Sequence, residues 1–456
     1  MINKDIFKGK FSLLDVSLFI LIVGTIGMFL QVYGLNWDLT MHLHRNPGGE
    51  RLLVDAETFL SNTHSVLYSG VGFLAVASAI AGIVLVLLKK KKDKSESIDT
   101  ITVDKNIITA FKLMIIGVTI QLIAGPSDQW WHKTFGLDGL LSPPHIGLLS
   151  GMLINAIAVT FGLMSISKVF KKYSLFSNRK KTVLIKSAMM VAFTALWFSS
   201  IWFTYALVLP VSKGERTNNN LNPLLATTIA VLAIPLISTV ICLGASNVIG
   251  NGKFGYMSVV GLLFIEVNVF ANIIPSNHMA SFLPYYLIVA GASIIIADFV
   301  LNGKFRSTNK NKDYSNNTTS LKRYMITGLI IGSTFYICNF PMLGLTFANF
   351  YGFPLKMVIL NEFSNFVITL PATIMITIMV GSIMGLLGSI IFKNKIEKRL
   401  MKYTIEKNEQ EEEKEEEKEE ENLTARNFDI GMQNSKQIIK ETITTQESNF
   451  KFKRYV

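Results

Sequence analysis

Residues 11–33 read FSLLDVSLFILIVGTIGMFLQVY, an apolar run whose only charged residue is Asp15. An α-helix needs about 20 such residues to cross about 30 Å of hydrocarbon. Nine more runs of similar length follow, and they must be helical because an isolated strand would leave backbone groups unpaired in lipid. The sequence therefore predicts an all-α, polytopic membrane bundle of ten spans. The predicted spans are 11–33, 64–88, 106–125, 145–168, 182–210, 223–248, 255–274, 282–301, 323–342 and 364–392.

The composition excludes a soluble globular protein. Half of the 456 residues are hydrophobic and 17% are charged, whereas soluble domains average about 25% charged residues. The formal net charge is +12, but residues 405–421 hold 11 Glu and 3 Lys, a net of −8, so the rest of the chain carries +20. That excess lies in short breaks between apolar runs, where it orients a membrane protein. We therefore expect a lipid bilayer around the chain and no nucleic-acid partner.

The basic residues fall in every second break between the apolar runs. Lys89–Lys92 follow the second predicted span, and Lys304 and Arg306 follow the eighth. Because short cytoplasmic loops collect Lys and Arg, this alternation predicts a multi-pass protein of the cell membrane with both termini cytoplasmic. The segments predicted to face outward are 34–63, 126–144, 211–222, 275–281 and 343–363.

The chain is predicted to have three parts. Residues 1–181 form a duplicated four-helix membrane unit, and residues 182–400 form a six-helix membrane bundle. Residues 401–456 form a charged cytoplasmic tail, helical or disordered, because Glu and Lys follow each other there at spacings of three and four. Cys242 and Cys338 both lie inside apolar runs, so the chain has no disulfide framework.

The first two outward segments resemble each other in their polar residues. In both copies an Asp lies seven residues after a Gln, a His lies four residues after that Asp, and a later His lies five residues before a Ser-Gly pair. These three matching offsets predict a tandem duplication of helical hairpins in the same orientation. The matched residues are Gln31, Asp38, His42 and His64 in the first copy and Gln121, Asp128, His132 and His145 in the second.

The spacing within each copy suits metal binding. An Asp and a His four residues apart project from one helix face, and a hairpin returns the later His to the same membrane side. An Asp with two His is a three-ligand set with open coordination positions. The alternative is a structural hydrogen-bond network at the wet membrane interface. The predicted ligand sets are Asp128, His132 and His145, and then Asp38, His42 and His64.

Residues 128–145 also resemble a known site. Asp128-Gln-Trp-Trp-His132 followed by Ser142-Pro-Pro-His145 is similar to the D-x3-H-x12-H stretch of the C subunit of copper membrane monooxygenases, the particulate methane and ammonia monooxygenases. The resemblance implies that Asp128, His132 and His145 bind a metal ion within the membrane. It favours copper, and it implies an oxidoreductase working beside partner subunits. Zinc and iron remain alternatives because the same ligand types suit them.

Two other functions stay open from the sequence. The first is a transporter of a metal ion or protons, in which the Asp/His loops form an outer vestibule and Glu266, inside the seventh span, serves as a proton or ion relay. A carboxyl group at membrane depth faces a cavity, pairs or becomes neutral, because an ionised one is costly in hydrocarbon. The second is an assembly subunit without catalytic activity, in which the same residues are structural.

Two residues of the second half have structural predictions only. Asp298 lies near the inner end of the eighth span and is expected to extend towards water or to pair with Lys304. Trp197 is expected to belong to an aromatic belt at the membrane interface.

Overall fold

The computed structural model describes residues 13–43, 62–93, 105–135, 142–172, 179–208, 223–273, 291–303, 321–334 and 378–397. Within these ranges every regular element is helical and none is a strand, which confirms the all-α prediction. The helices are α1 Leu13–Leu43, α2 Asn62–Asp93, α3 Lys105–Phe135, α4 Pro143–Lys172, α5 Arg179–Val208, α6 Pro223–Gly250, α7 Tyr256–Asn268 with a π-helical turn Val269–Ile273, α8 Ala292–Asn302, α9 321–334, and α10 378–391 with a π-helical turn Phe392–Glu397.

Six helices of the described ranges, α1–α6, are long and apolar enough to cross a membrane. They overlap the first six predicted spans. The last four predicted spans overlap the shorter helices α7–α10, and the remainder of those four spans lies partly outside the described residues. A membrane-type helical bundle is therefore confirmed in its first six helices.

The outer surface of the bundle is apolar. Phe19 on α1, Val76 on α2 and Ile123 on α3 are each more than half exposed in the isolated chain. A soluble monomer rarely presents large apolar patches to water, because their hydration is unfavourable. Hydrocarbon around these helices removes that cost.

The first four helices form two closely packed hairpins, with α1 along α2 and α3 along α4. The hairpins also contact each other, through α2 with α3 and through α1 with α4. Each hairpin has a glycine crossing point. A Cβ atom on Gly70 would lie 2.6 Å from the carbonyl oxygen of Gly27, and one on Gly151 would lie 2.6 Å from that of Gly117. Only glycine allows backbones to approach this closely. The same contact thus recurs at equivalent positions of the two hairpins.

The helices α5, α6 and α7 meet around an aromatic core. Trp197 is buried, its indole Nε1 donates a hydrogen bond of 2.8 Å to Ser238 Oγ, and its ring stacks on Phe264 at 4.2 Å. Phe198 stacks on the same Phe264 ring, also at 4.2 Å. The prediction of an interfacial belt is wrong for Trp197, because Ser238 satisfies the indole N–H inside the bundle.

Asp298 connects α8 to the beginning of α7. Its Oδ2 accepts hydrogen bonds from the backbone N–H groups of Gly255 and Ser258, both at 2.9 Å, and from Ser258 Oγ at 2.7 Å. Asn302 Nδ2 donates to its Oδ1 at 2.8 Å. The predicted extension towards water is wrong, since Asp298 is 0% exposed. A carboxylate at a helix N-terminus meets unpaired N–H groups and the positive end of the helix dipole, which explains its burial.

The chain divides into two compact units, Met1–Phe392 and Lys393–Val456. Of the second unit the structure describes only Lys393–Glu397, within the last π-helical turn. The predicted charged tail, residues 401–456, lies outside the described residues. The predicted division of the membrane part at residue 181 stays a prediction.

Candidate functional site

The two aspartates of the repeat lie on helices rather than in loops. The helix α1 continues to Leu43 and α3 to Phe135, so the predicted outward segments 34–63 and 126–144 begin inside helices. The apolar run marks only where the chain stops being hydrophobic. The helix itself continues as long as its backbone hydrogen bonds and side chains permit. Even Pro126, inside α3, does not end that helix.

The first hairpin brings its acid and its returning imidazole together. The Nε2 atom of His64, near the start of α2, lies 3.2 Å from Oδ1 of Asp38, near the end of α1. The side chains are 21% and 13% exposed. This pair is therefore partly buried at one end of the hairpin.

The second hairpin repeats this geometry. The Nε2 atom of His145 lies 3.1 Å from Oδ1 of Asp128, and the side chains are 20% and 12% exposed. The two pairs thus agree within 0.1 Å in distance and within one percentage point in exposure. The Asp and His residues that match in the sequence repeat therefore form the same pair in both hairpins.

The second histidine of each predicted ligand set is described only by its backbone. His42 lies on α1 and His132 on α3, each one turn beyond the aspartate of its copy, but their side chains lie outside the described residues. Among the side chains that the structure does describe, no group of three His, Cys, Asp or Glu has a metal-binding arrangement. The three-ligand sets therefore stay predictions.

Ser142 holds His145 from the other side of the ring. Its Oγ lies 2.9 Å from His145 Nδ1 and accepts a hydrogen bond of 3.4 Å from the backbone N–H of His145. Ser142 directly precedes Pro143, the first residue of α4, so the hydroxyl also caps that helix. This role was not predicted from the sequence. The repeated spacing indicates it, since Ser61, outside the described residues, precedes His64 by three residues as Ser142 precedes His145.

The two glutamines of the repeat contact each other. Gln31 Nε2 donates to Gln121 Oε1 at 3.0 Å, and Gln121 Nε2 donates to Gln31 Oε1 at 3.2 Å. Both side chains are buried, and Asn155 Nδ2 adds a hydrogen bond of 2.9 Å to Gln121 Oε1. Identical residues meet in this way across a two-fold axis. The reciprocal bonds therefore join the hairpins two helical turns from Asp38 and Asp128.

Tyr68, one turn after His64 on α2, was also missed. Its ring centroid lies 6.0 Å from that of His64. Its ring also lies beside α3, since a Cβ atom on Gly125 would lie 3.4 Å from Tyr68 Cε1. Sequence reasoning had no signal for this residue, because the matching position of the second copy is Leu149.

Glu266 lies on an exposed face of α7. Leu262 and Phe270, one turn before and after it, are exposed as well. This places the carboxyl group on an apolar outer stripe of the helix. Its role as a proton or ion relay stays a prediction.

An imidazole and a carboxylate at about 3 Å can share a proton or bind one cation. The arrangement occurs twice, and each helix that carries an Asp also carries a further His one turn on. In comparisons with known proteins, no family model, no curated protein and no solved structure matches this chain. Function must therefore be argued from the site.

Proposed function

We propose that this chain is an integral protein of the cell membrane that binds a transition-metal ion at its outward-facing Asp/His hairpins. Copper is the favoured metal, and the site resembles that of the C subunit of the copper membrane monooxygenases. A role in an oxidoreductase with partner subunits rests on that resemblance. The observation that carries the proposal is the recurrence of one Asp–His pair at equivalent positions of two hairpins.

The distances within the pairs support a common ion. Nitrogen and oxygen ligands lie about 2.1 Å from ions such as zinc. Two such ligands are then about 3.0 Å apart at a right angle and about 3.4 Å apart at the tetrahedral angle. The observed separations of 3.1 and 3.2 Å fall between these values. In distance, each pair is therefore compatible with one bound ion.

Ser142 supports the same interpretation. A histidine that binds a metal through one nitrogen usually donates its other N–H to a protein oxygen, which fixes the ring. The contact between Ser142 Oγ and His145 Nδ1 occupies one ring nitrogen, and the other, Nε2, lies 3.1 Å from Asp128 Oδ1. His132, one turn beyond Asp128, would be the third ligand. The equivalent set is Asp38, His64 and His42.

We also propose a membrane topology of ten spans, with α7–α10 as parts of the last four spans. Both termini would then lie in the cytoplasm. We also propose that the hairpins α1–α2 and α3–α4 are tandem duplicates. The repeated glycine contacts and the reciprocal glutamine pair support this origin.

Copper binding tests the metal proposal directly. The purified full-length chain in detergent is expected to retain copper, and His145→Ala is expected to weaken binding at the second hairpin by more than about 100-fold. Ser142→Ala is expected to weaken it by about 10-fold, the lower range for loss of a group that orients a ligand. Equilibrium dialysis with metal analysis measures both values.

A carboxylate far from the pairs provides the control. Asp15→Asn removes one carboxylate near the start of α1, about six helical turns before Asp38, and is expected to leave the copper affinity unchanged. If His145→Ala and Asp128→Asn both bind copper as the unaltered chain does, these residues are not ligands.

A second candidate function is transport of a metal ion or protons. It is favoured by the partial exposure of each Asp–His pair, since about a fifth of each imidazole is exposed. A proton shared between imidazole and carboxylate could exchange there, and Glu266 would be the relay. If the chain is a transporter, proteoliposomes that contain it are expected to take up metal ions or protons. Asp128→Asn is expected to stop this uptake, and Glu266→Gln is expected to slow it. Uptake that neither substitution changes would remove both residues from this function.

A further inference from the structure

Two lysines of α5 have different kinds of partner. Lys181 Nζ lies 2.6 Å from Oδ1 of Asp15 on α1, so the two side chains form an ion pair. Lys186 lies farther along α5, and its Nζ donates a hydrogen bond of 2.9 Å to the hydroxyl oxygen of Tyr256, the first residue of α7. The same Nζ lies 4.7 Å from the centroid of the Tyr256 ring. Within the part of the chain that the structure describes, no carboxylate forms an ion pair with Lys186.

Lys186 lies about two helical turns inside the start of α5, at a level where the outer surface is already apolar. The helix begins at Arg179, and Val183 and Leu184, which lie between these two basic residues, are 56% and 45% exposed. A cation at membrane depth is costly unless it pairs or extends to the interface. The phenol of Tyr256 is a neutral partner, so an anion beside Lys186 would lower this cost.

The contact between Lys186 and Tyr256 suits an anion with several oxygen atoms. The phenol oxygen is the acceptor in this contact, so its own hydrogen can be donated to another group. The ammonium group has three N–H donors, of which this contact uses one. Hydrogen bonds from charged donors to phosphate oxygens are among the strong ones. Arg179, which is exposed, lies seven residues before Lys186 and therefore projects from the same face of α5.

An apolar surface continues from this contact towards the membrane centre. Val259 and Leu262 follow Tyr256 along α7 by three and six residues, and they are 38% and 44% exposed. The helices α5 and α7 contact each other, so the lysine and this surface are adjacent. A molecule with an anionic head and an apolar chain would therefore match both parts.

We propose that Lys186, Tyr256 and Arg179 bind the phosphate headgroup of an anionic phospholipid. Lys186 and Tyr256 donate hydrogen bonds to the phosphate oxygens, and Arg179 adds a second positive charge. The site lies at the end of the bundle remote from the Asp–His pairs, because α4 begins beside His145 and ends at Lys172, just before α5 begins. The predicted topology assigns this end to the cytoplasmic leaflet, whose anionic lipids attract Lys and Arg. The inference is independent of metal binding.

Lipid binding to the full-length chain in detergent tests the proposal. Dioleoyl phosphatidylglycerol is added in steps, and native mass spectrometry counts the bound lipids and gives their affinity. We expect it to bind at least about 5-fold more tightly than dioleoyl phosphatidylcholine, whose headgroup has a phosphate but no net charge. Lys186→Gln is expected to weaken its binding by about 5-fold, the effect of one cation near an anionic surface. Tyr256→Phe keeps every charge and is expected to weaken it by about 2- to 10-fold, the range for one lost hydrogen bond.

Matched variants separate this site from general attraction to a basic surface. Lys112 lies seven residues after Lys105 at the start of α3, as Lys186 lies seven after Arg179, and Lys112→Gln is expected to leave the affinity unchanged. Tyr33→Phe on α1 is the control for the loss of a phenol hydroxyl. Equal weakening by Lys112→Gln, or no weakening by Tyr256→Phe, would overturn the proposal. Displacement of the lipid by an equal concentration of inorganic phosphate would overturn the lipid as the ligand. Should Lys186→Gln fail to fold, Tyr256→Phe decides the question, because it changes no charge.

Discussion

Gly70→Val is expected to destabilise the first hairpin by more than about 3 kcal/mol, the upper range for overpacking at a closely packed position. A Cβ atom there would lie 2.6 Å from the carbonyl oxygen of Gly27 and 2.7 Å from the backbone nitrogen of Gln31. These neighbours are backbone atoms, so they cannot turn away as a side chain can. The helices α1 and α2 must separate instead.

The same helix contains a matched control. Gly72 lies two residues further along α2, and a Cβ atom there would have nothing within 4 Å. Gly72→Val changes helix propensity as Gly70→Val does, so the difference between the variants isolates the interhelical contact. Thermal unfolding in detergent, followed by tryptophan fluorescence, measures both. Equal melting temperatures would mean that α1 and α2 do not cross at Gly70.

Separation of α1 from α2 is also expected to disturb the Asp38–His64 pair. His64 lies less than two turns before Gly70, and its Nε2 is 3.2 Å from Asp38 on the opposite helix. We therefore expect Gly70→Val to weaken copper binding at the first hairpin more than at the second. Gly151→Val should have the reverse effect, because Gly151 has the equivalent contact with Gly117.

Asp298→Ala is expected to cost about 3 kcal/mol or more. The substitution leaves the N–H groups of Gly255 and Ser258 and the Ser258 hydroxyl without their acceptor. Each polar group that is buried without a partner costs about 1–3 kcal/mol. The N-terminus of α7 and its contact with α8 are then expected to loosen first. Amide hydrogen exchange in α7, together with chemical denaturation, measures this effect.

Asp298→Asn provides the graded comparison. It retains one acceptor oxygen at nearly the same place but loses the charge that favours a helix N-terminus, so we expect a smaller loss. The capping role therefore predicts that stability decreases from the wild type to Asp298→Asn and further to Asp298→Ala. A fully stable Asp298→Ala variant would show that the cap contributes nothing to the fold.

Several features of the fold depend on local sequence and were predicted for that reason. A helix that crosses hydrocarbon must satisfy its own backbone and present apolar side chains along about 20 residues. The positions of α1–α6 therefore follow from hydropathy alone. The ends of α1 and α3 do not, because Asp38 and Asp128 lie on helical turns that are no longer apolar.

The candidate site was predicted in part. The offsets within the repeat indicated which Asp and His belong together, since a hairpin returns the chain to the same membrane side. Ser142 was missed although its spacing to His145 is local. The position of Tyr68 could not be found in this way, because its ring lies beside Gly125 of another hairpin.

By itself, the sequence determined that the chain is helical, that it is apolar over membrane-length runs, and that two of its hairpins carry the same acid and imidazole pattern. These properties are periodic or local, so they can be read along one segment. Only the tertiary structure decided that Trp197 is a core residue, that Asp298 caps α7, and that Tyr68 of α2 lies beside Gly125 of α3. Each of these depends on contacts between helices, and hydropathy does not encode which helices become neighbours.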